Sequence, residues 1–94
     1  MNMQRKKLET EKAEEEPCPC CGHLTISEKS AFEICQVCYW EDDGQSDADA
    51  DQIKGGPNGN LSLTVARTNY RIYGASDQRY VSLVRIPYEN EIGA

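Results

Sequence analysis

The pattern of apolar and polar positions divides the chain into short alternating segments, a long polar connection and one helical stretch. Leu24–Ile26 and residues 32–34 each alternate between apolar and polar side chains, and the five residues between them are of hairpin length. The sequence therefore predicts an antiparallel β-hairpin. Residues 79–87 alternate again and predict a short C-terminal strand.

The apolar positions that follow the glycine-rich residues 55–60 have the 3.6-residue repeat of an α-helix. Asn60 or Ser62 is the predicted N-cap, and Gly74 is the predicted C-terminal stop. The apolar side chains cover a wide arc of this helix, so we expect it to pack firmly on the rest of the domain. They are Leu61, Leu63, Val65, Ala66, Tyr70, Ile72 and Tyr73.

The ends of the chain are polar. Residues 1–16 contain four basic and five acidic side chains, with Leu8 as the only branched aliphatic residue. Such a segment buries too little apolar surface to offset its ordering entropy. We predict a disordered tail over residues 1–16, a domain over residues 17–88 and a flexible C-terminus over residues 89–94.

The five cysteines carry the strongest chemical signal in the chain. Cys18 with Cys21 and Cys35 with Cys38 form two C-x-x-C pairs, separated by thirteen residues. Two thiolates in one tight turn reach the same ion, and two such turns complete a tetrahedral four-cysteine site of the kind that holds structural zinc. Iron uses the same ligands, so zinc and iron both stay open. The odd cysteine count and the lack of a secretory signal favour a reducing cytoplasm over disulfides.

Cysteine pair, hairpin and cysteine pair follow one another in the order of a zinc ribbon. The predicted fold is therefore a small α+β domain: a zinc ribbon with two knuckles and a β-hairpin, one packed α-helix and a short C-terminal strand. A chain of 94 residues has a limited core, which is why we expect a metal to stabilise it. The longest apolar stretches fall far short of the roughly 20 residues that cross a membrane.

Cys20 lies between two predicted ligands and allows two interpretations. It is either an inert, buried small side chain or a reactive thiol acidified by the neighbouring backbone. Cys20 and His23 also have C-x-x-H spacing, which leaves a shifted register of the metal site open.

The segment from 41 to 51 is strongly acidic. Six of its eleven residues are acidic and the whole chain has a net charge of −6, which argues against binding to nucleic acid. Asp47, Asp49 and Asp51 match the start of a calcium loop, but Gln52 stands where glycine is needed and Asn58 where glutamate is needed. A solvated acidic loop is the better interpretation.

The sequence contains no serine–histidine–acid set and no phosphate-binding glycine loop, so we predict that the protein is not an enzyme. Asn69 falls within the apolar arc of the helix, where it either bonds buried backbone groups or faces a ligand. We expect a partner to contact the segment after the second cysteine pair and the polar side of the helix. The candidate partner-binding residues are Trp40, Glu41, Asp42, Asp43, Arg67, Asn69, Tyr70 and Arg71.

The motifs CPCCG, ICQVCYWEDDG and GGPNGNLSLTVARTNYRIYG together resemble the bacterial cysteine-rich CPCC domain family over residues 17–88. The resemblance implies a zinc-ribbon-type domain of the bacterial cytoplasm, and it supplies no substrate. It also implies a cysteine at the position of Cys20, which favours a reactive or metal-related role there. We predict a non-catalytic, zinc-stabilised module that binds another protein. The alternatives are a thiol-redox or metal-sensing protein acting through Cys20, and a nucleic-acid-binding zinc ribbon.

Overall fold

The computed structural model describes residues 16–92. Within them lie two strands, β1 (Glu16–Pro17) and β2 (Leu24–Ile26), one α-helix, α1 (Leu63–Tyr73), and four 3-10 turns. The two strands pair antiparallel. The protein thus has a small α+β fold in which turns hold most of the chain. Residues 1–15 of the predicted tail, and residues 93–94 of the predicted flexible end, lie outside the described residues.

The predicted hairpin between Leu24–Ile26 and residues 32–34 is wrong. β2 pairs instead with β1, which precedes the first cysteine pair. Ile34 forms an antiparallel bridge with Glu41, on the far side of the second cysteine pair. Each cysteine pair lies in a turn that reverses the chain. The segment before each turn therefore pairs with the segment after the same turn.

The predicted ends of the helix are confirmed. The Ser62 hydroxyl accepts a hydrogen bond from the backbone N–H of Val65 at 3.1 Å, which caps the N-terminus. Gly74 ends α1 in the left-handed conformation, with φ of +81°, and its N–H donates to the carbonyl of Tyr70 at 2.9 Å. Glycine takes this conformation without a steric penalty.

α1 packs on the core through only part of its apolar arc. Leu63 and Ala66 are fully buried, and Leu61 and Tyr70 pack partly against the core. The core opposite α1 is too small to cover the rest of the arc, so the helix is buried along one narrow strip. The uncovered side chains are Val65, Ile72 and Tyr73, exposed by 46%, 64% and 43%.

The segment after α1 does not form the predicted C-terminal strand. The Asp77 side chain caps a 3-10 turn at Gln78–Tyr80 by accepting from the N–H of Arg79 at 3.1 Å. Further along, the N–H of Arg85 donates to the carbonyl of Gln36 at 3.2 Å. The segment is thus anchored at separate points and has no strand partner among the described residues.

A further turn follows the predicted boundary at residue 88. Glu89–Glu91 form a 3-10 turn, and Glu91 is only 8% exposed. The Arg85 guanidinium donates to both carboxylate oxygens of Glu91, each over 2.8 Å. This bidentate pair fastens the end of the described chain to the segment that contacts the second cysteine turn.

The core is centred on the cysteines. The largest fully buried side chains are those of Trp40, Ile26, Leu63 and Val37, and they belong to the same cluster as the buried cysteines. Because the core is this small, the cysteine cluster contributes to folding as well as forming a candidate binding site. None of the helices within residues 16–92 has the length and apolar character needed to span a bilayer.

Candidate metal centre

The structure brings Cys18, Cys21, Cys35 and Cys38 together, with all four Sγ atoms within 4.8 Å of one another. The Sγ atoms of Cys18 and Cys38 are 3.6 Å apart, and those of Cys21 and Cys35 are 3.7 Å apart. Three of the four side chains are buried and Cys21 is partly exposed. The four sulfurs predicted from the sequence as ligands therefore form a single cluster.

Each cysteine turn is built from the same two backbone hydrogen bonds. In the first turn the N–H of Cys18 donates to the carbonyl of His23, and the N–H of Gly22 donates to the carbonyl of Cys18, both over 2.8 Å. Both turns direct their two sulfurs toward the same point. The local conformation of each turn therefore provides two of the four sulfurs of the site.

The second turn repeats this pattern. The N–H of Cys35 donates to the carbonyl of Trp40 over 2.9 Å, and the N–H of Tyr39 donates to the carbonyl of Cys35 over 2.7 Å. Tyr39 occupies the position that Gly22 has in the first turn. Both residues have positive φ, +83° for Gly22 and +71° for Tyr39.

The sulfur geometry fits a tetrahedrally coordinated metal ion. Zinc–thiolate bonds of about 2.3 Å in a tetrahedron place the sulfurs about 3.8 Å apart. Two of the sulfur pairs, at 3.6 and 3.7 Å, agree with that spacing. Four thiolates with no open position are typical of structural rather than catalytic metal sites. The cluster can therefore hold a metal ion through these four residues alone.

The hydrogen bonds within the cluster favour a negative charge on Cys35. Contacts from Cys18 and Cys21 lower the pKa of the Cys35 thiol, whereas hydrogen bonding to Cys18 raises the pKa of both Cys21 and Cys38. The hydroxyl of Thr25, a buried residue, lies 3.0 Å from the Cys35 sulfur. A metal ion must displace the remaining thiol protons, so its affinity depends on pH.

Cys20 and His23 lie outside the four-sulfur cluster, and the structure does not adopt the shifted C-x-x-H register. Cys20 is 7% exposed and belongs to the core cluster. The ring of His23 is partly exposed and contacts the ring of Tyr70 edge-on, with centroids 6.1 Å apart. Burial raises the pKa of the Tyr70 hydroxyl to about 12, with the neighbouring cysteines adding to this effect.

Arg67 links α1 to the first cysteine turn. Its Nε donates to the carbonyl of Pro19 over 2.8 Å, and its Nη2 donates to Asp47 over 2.7 Å. The sequence placed Arg67 on a partner-facing surface, yet it is partly buried and already engaged within the chain. Arg71, one turn further along α1, is exposed and donates only to Thr68 among the described residues, over 3.2 Å.

Asn69 bonds backbone, which is the first of the two interpretations that its position in the apolar arc allows. Its Nδ2 donates to the carbonyl of Ser76 over 2.8 Å, and Ser76 is fully buried. The partner is the chain directly after α1 rather than the cysteine turns or the glycine-rich loop. Asn69 therefore fixes how the chain leaves the helix.

Two predicted partner-binding residues after the second cysteine pair are buried. Trp40 is fully buried and Asp42 is 3% exposed. Asp42 accepts from the N–H of Ser30 at 2.7 Å and from that of Gly44 at 3.3 Å. It therefore organises the surrounding loops.

Glu41 and Asp43 are partly exposed, and both contact the buried side chain of Asn58. The Asn58 amide donates to the carbonyl of Glu41 over 2.8 Å and accepts from its N–H over 3.2 Å. It also donates to the Asp43 carboxylate over 3.3 Å. No pattern in the sequence signals this role, because asparagine beside glycine and proline is common in ordinary turns.

The three aspartates of the calcium-like pattern point to separate contacts. Asp47 pairs with Arg67, Asp49 lies 3.2 Å from Lys54, and Asp51 accepts from the hydroxyl of Thr64 over 2.5 Å. The acidic segment is therefore tied to α1 at two points and to Lys54 at a third.

A four-cysteine cluster in a small α+β fold defines the protein as a candidate metal-binding module. The sequence model of the cysteine-rich CPCC family matches residues 16–91, well over half of the chain. The chain belongs to the cysteine-rich CPCC family, and the match extends past the predicted boundary at residue 88. No curated protein and no solved structure shows significant similarity to the chain.

Proposed function

We propose that this protein is a non-catalytic, zinc-stabilised module that binds another protein. The four buried or partly buried sulfurs at tetrahedral spacing support a structural metal, and zinc is the commoner occupant of such a site. The two cysteine turns, each flanked by its own short pairing, support a zinc-ribbon-like arrangement. A reducing compartment such as the bacterial cytoplasm would keep these thiols available for metal.

The proposed interaction with another protein rests on the exposed apolar side chains of α1. Val65 and Ile72 are seven positions apart, hence on one side of the helix, and Tyr73 lies beside Ile72. Exposed apolar side chains grouped on one element are typical of interaction surfaces. The α1 face, as we name these three residues, is the proposed contact surface.

The charge of α1 indicates the chemistry of the partner. α1 has no acidic residue and carries Arg67 and Arg71, whereas the chain as a whole has a net charge of −6. Repulsion between like-charged copies disfavours self-association, and the exposed Arg71 favours an acidic partner surface. We therefore propose a protein partner that presents apolar side chains flanked by carboxylates.

A matched pair of variants tests the α1 face. Val65→Ser with Ile72→Ser should abolish recovery of a partner that the unmodified protein captures. Ile53→Ser is the control, because Ile53 is 61% exposed and lies outside α1. Both variants should retain their metal. Equal capture by all three proteins would contradict the proposed surface.

The alternatives have weaker support. A redox role for Cys20 requires access to an oxidant, yet Cys20 is 7% exposed. Nucleic-acid binding requires available cations, yet Arg67, Arg79 and Arg85 lie in ion pairs with aspartate or glutamate. Alkylation of Cys20 in the metal-loaded protein, or salt-dependent retention on immobilised nucleic acid, would favour the corresponding alternative.

A further inference from the structure

A cleft of about 390 Å³ lies between the first cysteine turn and the acidic segment. This volume is within the range of about 300–1,000 Å³ that is typical of small-molecule sites. Its lining combines cations, acceptors and a buried amide, namely Lys29, Ser30, Asp42, Gln45, Asp47 and Arg67. The cleft thus presents charged groups of both signs to a ligand.

Arg67 presents unused donors to this cleft. A guanidinium has five N–H groups, and among the described residues Arg67 bonds only the Pro19 carbonyl and Asp47. The Asp47 side chain is 91% exposed, so its pairing with Arg67 is weakened by water and is easily replaced. A carboxylate entering the cleft can take the place of Asp47 and bind the guanidinium through two oxygens.

Gln45 forms part of the wall of the same cleft. It is 3% exposed, and its Nε2 donates to the carbonyls of Asp49 and Gln52 over 2.9 and 2.6 Å. These bonds fix the amide, and its Oε1 has no donor within residues 16–92. That oxygen is itself buried beneath the wall of the cleft, so recognition of a ligand falls to the exposed cations rather than to Gln45.

We propose that the cleft binds a small carboxylate, such as that of a free amino acid or of the carboxyl end of a peptide. The carboxylate pairs with Arg67, and the ammonium of Lys29, 69% exposed, adds to the attraction. The buried Asp42 on the same wall disfavours a ligand with a second negative charge.

This inference goes beyond the proposed function, because the cleft shares no residue with the α1 face. The double variant Val65→Ser, Ile72→Ser should leave ligand binding in the cleft unchanged. Failure of the proposed function can therefore be distinguished from failure of the proposed binding in the cleft.

The first test compares ligands on the unmodified, metal-loaded protein. N-acetyl-alanylalanine is titrated while the side-chain N–H signals of Arg67 and Gln45 are followed by NMR. We expect saturable shifts, with the C-terminal amide of the same peptide binding at least about tenfold more weakly. Tighter binding of free alanine identifies an amino acid as the source, and tighter binding of the acetylated peptide identifies a peptide end. Equal binding of acid and amide, or no saturable shift, would overturn the proposal.

The second test uses variants on α1. Arg67→Gln should weaken binding at least about tenfold, and Arg67→Lys should weaken it less, because lysine keeps the charge without the bidentate geometry. Arg71→Gln is the matched control, since Arg71 does not line the cleft. Asp47→Ala should strengthen binding by releasing Arg67. Retained affinity in Arg67→Gln would overturn the proposal; if that variant does not fold, the comparison of acid with amide decides.

Discussion

Gly22 and Tyr39 share one backbone conformation at equivalent positions of the two cysteine turns, with φ of +83° and +71°. Glycine adopts this conformation freely, whereas a residue with a Cβ pays for it in strain. The ring of Tyr39 lies against that of Tyr80 with centroids 4.8 Å apart, a contact that offsets the strain. The second turn therefore combines an unfavourable backbone with a favourable aromatic contact.

This relationship predicts an unusual order of stability at position 39. Tyr39→Ala loses the ring but keeps the strained Cβ, so it should be less stable than Tyr39→Gly by about 1 kcal/mol. Gly22→Ala should also cost about 1 kcal/mol, because nothing lies within 4 Å of the added methyl group and only the backbone conformation opposes it. Urea unfolding of the metal-loaded proteins measures both. A more stable Tyr39→Ala than Tyr39→Gly would show that strain is absent.

Removal of the metal should unfold the domain. Structural zinc contributes roughly 10–16 kcal/mol of apparent binding free energy, which exceeds the net stability of about 5–15 kcal/mol of a typical domain. Chelation under reducing conditions should therefore abolish the dispersion of the NMR spectrum. A well-dispersed spectrum from metal-free, reduced protein would refute this prediction.

Substitution of Cys20 should affect the amount of bound metal differently from substitution of the other four cysteines. Serine at position 18, 21, 35 or 38 should lower bound metal to well below one equivalent, because a tetrahedral site needs each sulfur. Cys20→Ser should retain one equivalent, since Cys20 lies outside the cluster. Metal content by elemental analysis is the measurement. Equal losses in Cys20→Ser and Cys21→Ser would contradict the ligand set.

The Arg85–Glu91 pair should make part of the stability depend on pH. Hydrogen bonding from Arg85 holds the pKa of Glu91 below its usual range. A carboxyl group with a lowered folded-state pKa stabilises the fold above its unfolded pKa of about 4.3, and this contribution is lost as the pH falls through the folded-state value. Glu91→Gln should therefore cost about 1–2 kcal/mol at pH 7.

The control for this prediction is the difference between wild type and Glu91→Gln at each pH, because acid also displaces metal from thiolates. That difference should shrink below about pH 4. A difference that stays constant from neutral to acidic pH would assign the effect to packing rather than to charge.

Asn69→Leu should destabilise the domain. The substitution removes the only donor that the described residues provide for the carbonyl of Ser76, which is a fully buried residue. A buried acceptor left without a donor costs about 1–3 kcal/mol. Thermal unfolding is the measurement. A melting temperature at or above that of wild type would assign Asn69 to a binding site instead.

The features predictable from the sequence were those set by local chemistry. The spacing of the cysteines anticipated the cluster, and Ser62 and Gly74 gave the ends of α1, because turns and caps depend on residues a few positions apart. The pairing of residues 32–34 was not predictable from alternation alone, since alternation does not identify a strand's partner. The burial of Trp40 and Asp42 depends on which segments cover them, and no local pattern encodes that.

The placement of the contacts along the chain also suggests an order of folding. The sulfurs of Cys21 and Cys35 are 14 positions apart and those of Cys18 and Cys38 are 20 apart, whereas the bond from Arg67 to Pro19 spans 48 positions. Closing a short loop costs less entropy than closing a long one, and contacts between near neighbours form faster. The two cysteine turns would then meet first, which puts the carbonyl of Pro19 in its final position. α1 would dock on this carbonyl last.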